Sequence, residues 1–236
     1  EMSLIGRSIE WLIGGPKIGG VAEARLGAWR GRRPPDLGHS HVRTRYVVVD
    51  VETTGLDLRR DTLVAVGAVG VARGRIAIGD AYSAVLRQAQ ASPHANILIH
   101  GIGGEAQLAG TDPVWALIEF LEWAGKSPFV AFRAEFDQTM LERGMKDLFG
   151  VPVGFAWIDL AFLLPALFRG TECDSLDDWT GHFGIAAGAR HDAVADAFAT
   201  AQLFLIALQA ADAVGMGCPG QLLEMQKAQR WLGTRR

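Results

Sequence analysis

Two acidic residues follow an apolar run in the first third of the chain. Residues 46–49, mostly valine, predict a buried strand, and Asp50 and Glu52 come at its end. Because strand side chains alternate, we expect Asp50 and Glu52 to point to the same side. Two such carboxylates repel each other, which raises their pKa values unless a divalent cation lies between them. The pair therefore predicts Mg²⁺ or Mn²⁺, ions that usually act on phosphates, with a solvated strand end as the alternative.

Two more carboxylates and one histidine have neighbours that favour a functional role. Asp137 closely follows the apolar run 129–132, and Asp196 lies about one turn inside an apolar helix that His191 precedes. We expect both carboxylates to face inward, because the residues around them are mainly small or apolar. Taken alone, Asp137 could equally be a charge that favours a helix N-terminus. His191 could equally be a capping or surface histidine.

The elements predicted to position these residues are three strands, then helices mixed with one more strand. The strands are predicted at 46–51, 63–72, 75–86 and 129–132, and the helices at 113–124, 135–143, 156–168, 175–183, 192–211 and 221–232. Short turns join the first three strands, which predicts an antiparallel meander. This order predicts an α/β or α+β fold with a single sheet.

The pattern divides the chain into an N-terminal extension (residues 1–44), a central domain (45–212) and a C-terminal helical tail (213–236). Residues at helical spacing indicate two short helices in the extension, formed around Ile5, Ile9 and Leu12 and around Ala22, Leu26 and Trp29. A basic linker with prolines follows them. Packing on the domain is favoured over a contact with nucleic acid or a partner, because Trp11 and Trp29 would otherwise be exposed. Residues 221–225 resemble a sliding-clamp peptide only faintly, and a packed amphipathic helix is favoured there.

The composition limits the environments and partners that we expect. The chain has 236 residues, 23 Lys and Arg, and 26 Asp and Glu, so no overall positive field attracts nucleic acid. Binding a polyanion would then require metal ions or local basic residues. Cys173 and Cys218 have no metal-ligand spacing, which favours a reducing cytoplasm. No stretch approaches the roughly 18 apolar residues of a membrane span, so no membrane partner is expected.

Three motifs together resemble a known enzyme family. They are Asp-x-Glu-Thr-Thr-Gly-Leu at 50–56, Phe136-Asp137, and His-x-Ala-x-x-Asp-Ala at 191–197. In this order and spacing they resemble the DEDDh 3′–5′ exonucleases, which include the proofreading subunit of bacterial replicative DNA polymerase. The segment His100-Gly101-Ile102 is also similar to the family. The resemblance covers about residues 44–210.

The resemblance implies a ribonuclease-H-like α/β fold, with a central mixed sheet flanked by helices. It implies that Asp50, Glu52, Asp137 and Asp196 hold two Mg²⁺ or Mn²⁺ ions. Asp50 would bridge both ions, Glu52 and Asp196 would complete one site, and Asp137 would act on the second ion. His191 would be the general base, a role that suits a pKa near 6.5.

The resemblance also implies a substrate. Thr53, Thr54, Gly55 and Leu56 would form the pocket for the terminal nucleotide at the 3′ end of single-stranded DNA or RNA, with DNA favoured. The products would be nucleoside 5′-monophosphates. A DNA polymerase is a candidate partner.

One departure from the family pattern concerns Phe132 and Arg133, where the family often has His-Asn. We expect Arg133 to supply a phosphate contact instead. Two alternative functions remain. A non-catalytic nuclease-like module in a polymerase or repair assembly would not need all four acids and His191. A hydrolase of small nucleotides would share the metal ions but would lack a long substrate groove.

Overall fold

A computed structural model describes residues 18–150, 153–186 and 192–233, apart from the side chain of Ile78. The helix predicted around Ile5, Ile9 and Leu12, with Trp11, lies outside the described residues. His191 also lies outside them.

Five strands form one mixed sheet in the order β3-β2-β1-β4-β5. The strands are β1 (Arg45–Thr53), β2 (Leu63–Ala72), β3 (Arg75–Val85), β4 (Phe129–Ala131) and β5 (Trp157–Asp159). The first three form the predicted antiparallel meander, whereas β4 and β5 run parallel to β1. The Val-rich runs of β1 and β2 pack on both faces, which is why both strands are almost continuously apolar.

Nine helices of the described residues surround this sheet. They are α1 (Gly20–Arg30), α2 (His94–His100), α3 (Gly104–Leu108), α4 (Pro113–Ala124), α5 (Glu135–Phe149), α6 (Leu160–Leu167), α7 (Leu176–His182), α8 (Ala193–Ala213) and α9 (Pro219–Gly233). This mixed sheet flanked by helices confirms the predicted fold class.

The core has one layer on each face of the sheet. Val47, Val49 and Val51 of β1 belong to the layer that includes α1, α4 and α5. Tyr46 and Val48 belong to the opposite layer, with α6, α7, α8 and α9. By alternation, Asp50 and Glu52 continue the Tyr46 and Val48 side, so the strand pattern alone directs both carboxylates towards the α8 layer.

The long helix α8 is apolar because much of it packs inside the domain. By length and hydropathy it is the one helix of the described residues that could cross a membrane, contrary to the sequence-based expectation that no stretch would qualify. In the fold, 56% of the 18-residue segment of α8 that meets this criterion is buried. Its buried positions include Ala197, Ala201 and Phe204, which contact the sheet layer, and it carries Asp196.

The structure corrects several predicted boundaries. The run 156–168, predicted to be mostly helical, begins with strand β5, which pairs with β4 and is followed by α6 only from Leu160. Helix α5 continues to Phe149, six residues beyond the predicted end at 143. The short helices α2 and α3 were not predicted. Helix α1 packs as expected, because Ala22, Leu26 and Trp29 are all buried.

Candidate metal centre and active site

The end of β1 presents two carboxylates on one face. Asp50 and Glu52 are half-buried and flank the buried Val51, which is the predicted alternation. β1 has β2 on one side and β4 on the other, so hydrogen bonds fix its backbone across the sheet. The positions of both carboxylates therefore follow from the central strand of the sheet.

The first turn of α8 brings the third carboxylate to this place. Asp192 caps the helix, and its side chain accepts a hydrogen bond from the Ala195 amide at 2.9 Å. Asp196 follows within the first turn and is 7% exposed. The Asx cap and the negative residues at this end both favour the helix N-terminus.

Gly67 permits the close approach of α8 to the sheet. It lies opposite Asp50 in the β1–β2 register. A Cβ atom at position 67 would lie 2.2 Å from the carbonyl carbon of Ala193 and 2.4 Å from the amide nitrogen of Val194. Only glycine leaves room for that backbone. Sequence reasoning missed this residue, although a glycine inside a strand is a known signal of close backbone approach.

Together these elements bring three carboxylates close to one another. One oxygen each from Asp50, Glu52 and Asp196 lies within 4.8 Å of the others. Like charges at such distances repel, and a divalent cation removes that repulsion. A set of carboxylate oxygens suits hard cations such as Mg²⁺ and Mn²⁺, so the residues present fit the metal ions that the sequence predicted.

Asp137, the fourth predicted ligand, is not one of the three converging carboxylates, but its side chain binds the backbone of β1, which carries Asp50 and Glu52. The pairing of β1 with β4 ends at Val48 and Val130, and farther along β1 the Val51 amide donates to Asp137 Oδ1 at 3.1 Å. Asp137 is 6% exposed, and burial raises its pKa to about 7. The hydrogen bond from Val51 opposes this shift, whereas the charge of Asp159 adds to it. A buried carboxylate of this kind becomes easier to ionise when a cation approaches.

The loop after β1 is held by its own hydrogen bonds. Thr53 Oγ1 donates to the Gly55 carbonyl at 2.6 Å, and Thr54 Oγ1 donates to Asp61 Oδ1 at 2.8 Å. A Cβ atom on Gly55 would lie 2.5 Å from Asp61 Oδ2, so a side chain at this position would displace the Asp61 carboxylate. Sequence reasoning did not identify Asp61, whose role depends on the folded loop.

This loop presents an apolar side chain to solvent. Leu56 is 85% exposed, four residues after Glu52. The Asn96 side-chain amide of α2 donates to the Thr54 carbonyl of the same loop. The short helix α2, absent from the sequence prediction, therefore supports the predicted nucleotide pocket.

Arg133, at the departure from the family pattern, has an unusual backbone conformation. Its φ is 58°, in the left-handed region that non-glycine residues rarely adopt. Its amide donates to Asp159 Oδ1 at 2.9 Å, and its Nη2 donates to the Asp174 carbonyl at 3.1 Å. The contact with Asp174 holds the guanidinium near the carboxyl ends of β4 and β5.

Comparison with known proteins assigns the family. A family model described as an exonuclease, RNase_T, matches residues 47–204. This chain belongs to that exonuclease family. The match contains most of β1, with Asp50 and Glu52, and also Asp137 and Asp196. Much of α8 is included, whereas α1 and α9 fall outside the match.

Relatives within this exonuclease family are larger proteins. A DNA polymerase III subunit epsilon-like protein of Rhodobacter capsulatus is 35% identical over 183 residues, which are 75% of this chain and 26% of the relative. A PolC-type DNA polymerase III of Thermotoga maritima is 31% identical over 182 residues, which are 77% of this chain and 13% of the relative. The chain therefore spans about a quarter or less of these two relatives.

Solved structures of exonucleases share the fold. E. coli exonuclease I in complex with a dT13 oligonucleotide aligns with a TM-score of 0.63 at 18% identity, over 72% of this chain and 42% of that one. Exonuclease X in complex with 5′ overhanging duplex DNA aligns with a TM-score of 0.59 at 21% identity, over 77% of this chain and 99% of that one. The fold of this exonuclease-family chain is therefore that of its structural neighbours.

Proposed function

We propose that this chain is a metal-dependent 3′–5′ exonuclease that hydrolyses single-stranded nucleic acid, with DNA favoured, to nucleoside 5′-monophosphates. The observation that carries the proposal is the convergence of Asp50, Glu52 and Asp196 within the segment that matches the exonuclease family. DNA is favoured over RNA because one relative is a DNA polymerase III subunit epsilon-like protein, the other is a PolC-type DNA polymerase III, and two structural neighbours are bound to DNA.

The proposed metal ligands are the four acids of the motifs. Asp50, Glu52 and Asp196 would hold one ion, with Asp50 shared with a second ion near Asp137. When bound, such a pair of ions stabilises the attacking and leaving oxygens of an in-line displacement at phosphorus. Burial raises the pKa of Asp137, and a nearby cation would favour its ionised form.

His191 is proposed as the general base that takes a proton from the attacking water. The support for this role is its position in the chain, directly before Asp192, which caps the helix that carries Asp196. An imidazole with a pKa near 6.5 accepts a proton readily at neutral pH. Neutral His191 would therefore be the active form.

The loop 53–56 is proposed to bind the 3′-terminal nucleotide. The side-chain hydroxyls of Thr53 and Thr54 are already hydrogen-bonded within the loop, which fixes the backbone that would face the sugar. The exposed side chain of Leu56 provides an apolar surface for the terminal base. A preformed loop of this kind lowers the entropy cost of binding.

A polymerase or repair assembly is the proposed setting of this activity, because both relatives are DNA polymerase III proteins. The reducing cytoplasm remains the proposed compartment, supported by the two free cysteines Cys173 and Cys218. No membrane partner is proposed, since the packing of α8 accounts for its hydropathy.

The proposal is tested by digesting single-stranded DNA labelled at either end, with RNA of the same sequence, in Mg²⁺, Mn²⁺ and EDTA. We expect stepwise release of 5′-mononucleotides from the 3′ end, faster on DNA, which EDTA stops. Asp50→Ala should abolish the release. Asp147→Ala, which removes an exposed carboxylate near the far end of α5, should retain it.

Three other outcomes would contradict the proposal. Oligonucleotide binding without cleavage would support the non-catalytic module. Hydrolysis of a chromogenic nucleotide ester in preference to the oligonucleotide would support a hydrolase of small nucleotides. Cleavage that persists in Asp50→Ala or in EDTA would show that the acidic cluster is not the reaction centre.

A further inference from the structure

Asp159, at the end of β5, is a buried carboxylate that the proposed mechanism does not use. It is 1% exposed. Its Oδ1 accepts hydrogen bonds from the amides of Arg133 and Ala161, both at 2.9 Å. The bond from Ala161 caps α6, whereas the bond from Arg133 connects the end of β5 to the turn between β4 and α5. Burying a carboxylate this deeply costs free energy unless hydrogen bonds or an opposite charge stabilise it.

The bond to Arg133 fixes the turn from which α5 starts. Arg133 has a φ of 58°, a left-handed conformation that L-residues rarely adopt because the Cβ atom crowds the backbone. Asp159 accepts the hydrogen bond that this strained residue offers. Asp137 lies in the first turn of α5, only four residues after Arg133, and there it accepts the hydrogen bond from Val51. The direction in which α5 leaves the turn therefore determines where the Asp137 carboxylate meets β1.

Gln226 of α9 binds the backbone of β5 on both sides of Ile158. Its Oε1 accepts from the Asp159 amide at 2.8 Å, and its Nε2 donates to the Trp157 carbonyl at 3.3 Å. Since β5 is the edge strand of the sheet, these two bonds replace those that another strand would make. Gln226 is 8% exposed, so solvent does not compete freely for them.

Arg230, one turn later on α9, lies beside the same carboxylate. Its Nη2 is 3.8 Å from Asp159 Oδ2, and its guanidinium is 4.9 Å from the ring centroid of Phe162. Backbone amides thus bind one carboxylate oxygen of Asp159, whereas the guanidinium of Arg230 lies near the other. Both α9 side chains lie outside the segment that matches the exonuclease family.

We infer that Asp159 is a positioning residue for Asp137, and that Gln226 and Arg230 of α9 hold Asp159 in place. The C-terminal helix, which the sequence predicted as a tail, would then be part of the catalytic unit. This inference rests on the proposed function, because it concerns the approach of Asp137 to the metal ions. Residues that orient metal ligands typically change metal affinity or activity by about 10–100-fold when they are replaced.

The first test compares two glutamines on the same helix. Gln226→Ala removes both bonds to β5, whereas Gln221→Ala removes a similar bond, to the Gly217 amide, at the far end of α9. We expect Gln226→Ala to lower kcat about 10-fold, to leave KM for the oligonucleotide unchanged, and to weaken Mn²⁺ binding by calorimetry about 10-fold. Gln221→Ala should change none of these quantities.

The second test asks whether a neutral acceptor at position 159 is sufficient. Asp159→Asn keeps an oxygen that can accept from Arg133 and Ala161, whereas Asp159→Ala does not. We expect kcat and Mn²⁺ affinity to fall in the alanine variant and to recover in the asparagine variant. If Asp159→Ala does not fold, Gln226→Ala and Arg230→Ala provide the same test.

Wild-type values of kcat and Mn²⁺ affinity in folded Gln226→Ala would overturn the inference, even with a lower melting temperature, because α9 would then be only structural. A wild-type protein that binds Mn²⁺ but releases no nucleotide would overturn the proposed function alone, since Mn²⁺ affinity would still report on Asp137. A wild-type protein without either property would overturn both.

Discussion

The two ends of β1 carry charges in opposite arrangements. At the first residue, Arg45 makes two hydrogen bonds to Asp80, at 2.8 and 2.9 Å, and lies over the Trp123 ring. At the other end, Asp50 and Glu52 converge with Asp196, a third charge of the same sign. Opposite charges that meet stabilise the fold by themselves, whereas like charges that meet are stabilised by a cation from outside.

Each end of β1 also depends on a glycine of β2. A Cβ atom on Gly67 would meet the backbone of Ala193 in α8, whereas one on Gly70 would lie 2.0 Å from Asp80 Oδ2. The same substitution at these two positions thus disturbs either the acidic cluster or the Arg45–Asp80 ion pair. The comparison indicates that an ion pair stabilises one end of the strand, whereas the acidic cluster at the other end is the proposed metal centre.

The largest effect is expected from Asp50→Ala. Loss of this carboxylate should lower the rate of nucleotide release by at least about 10³-fold, the equivalent of several kcal/mol of metal-dependent stabilisation. The melting temperature without metal should not fall, because one of three like charges is gone. Asp80→Ala is the matched control at the other end of β1, and it should lower stability without changing the rate. Equal effects on the rate would remove the distinction between the two ends.

The next effect is expected from Gly67→Ala. The added methyl group should push the start of α8 away from β1 and displace Asp196, a shift that can cost about 10²-fold in rate. Gly70→Ala should leave kcat unchanged and reduce the free energy of unfolding by about 1–3 kcal/mol through overpacking against Asp80. Steady-state rates and urea unfolding of both variants measure this contrast. A Gly67→Ala protein of normal kcat would show that α8 does not need its close approach.

Asp137→Asn separates function from stability. Because the pKa of Asp137 is raised to about 7 in the fold, its contribution to stability is present at pH 4 and is lost as the pH rises to 7. Asparagine can still accept from Val51 but carries no charge. We therefore expect the metal-free variant to melt about 2–4 °C above wild type at pH 8, the change that about 1 kcal/mol produces, and to show no gain at pH 4. Nucleotide release should be strongly reduced. A variant that melts lower at pH 8 would refute the raised pKa.

The smallest effect on the rate is expected from Arg45→Ala. Arg45 holds the pKa of Asp80 below its usual range, so this pair contributes stability above the ordinary aspartate pKa and loses it as the pH falls. Since both side chains are partly exposed, we expect a loss of about 1–2 kcal/mol at pH 7 that shrinks towards pH 3, with kcat unchanged. Urea unfolding at both pH values measures the loss, and an equal loss at both would exclude the ion pair as its cause.

Sequence reasoning succeeded where the information was local. The run 63–72 was predicted with the bounds that β2 has, because its apolar residues end at the turn of Arg73 and Gly74. The common direction of Asp50 and Glu52 followed from strand alternation alone. Their meeting with Asp196 was expected only through the family resemblance, and the structure confirms that the three carboxylates lie together.

Sequence reasoning failed where the partner is distant in the chain. The three residues of β5 lie in a continuous apolar run, and such a run does not distinguish a short strand from a helix. Gly67, Asp159 and Gln226 act on residues 26 to 126 positions away, so the sequence around them does not identify the residues that they contact.

Calorimetric titration of the metal-free protein with Mn²⁺ tests the central claim most directly. The variants are Glu52→Gln, which removes one charge from the acidic cluster, and Asp80→Asn, which removes one charge at the other end of the sheet. The account predicts saturable binding to wild type and to Asp80→Asn, and binding at least about 10-fold weaker to Glu52→Gln. Equal affinity in all three proteins, or no saturable binding to wild type, would contradict the claim that the end of β1 is a metal centre.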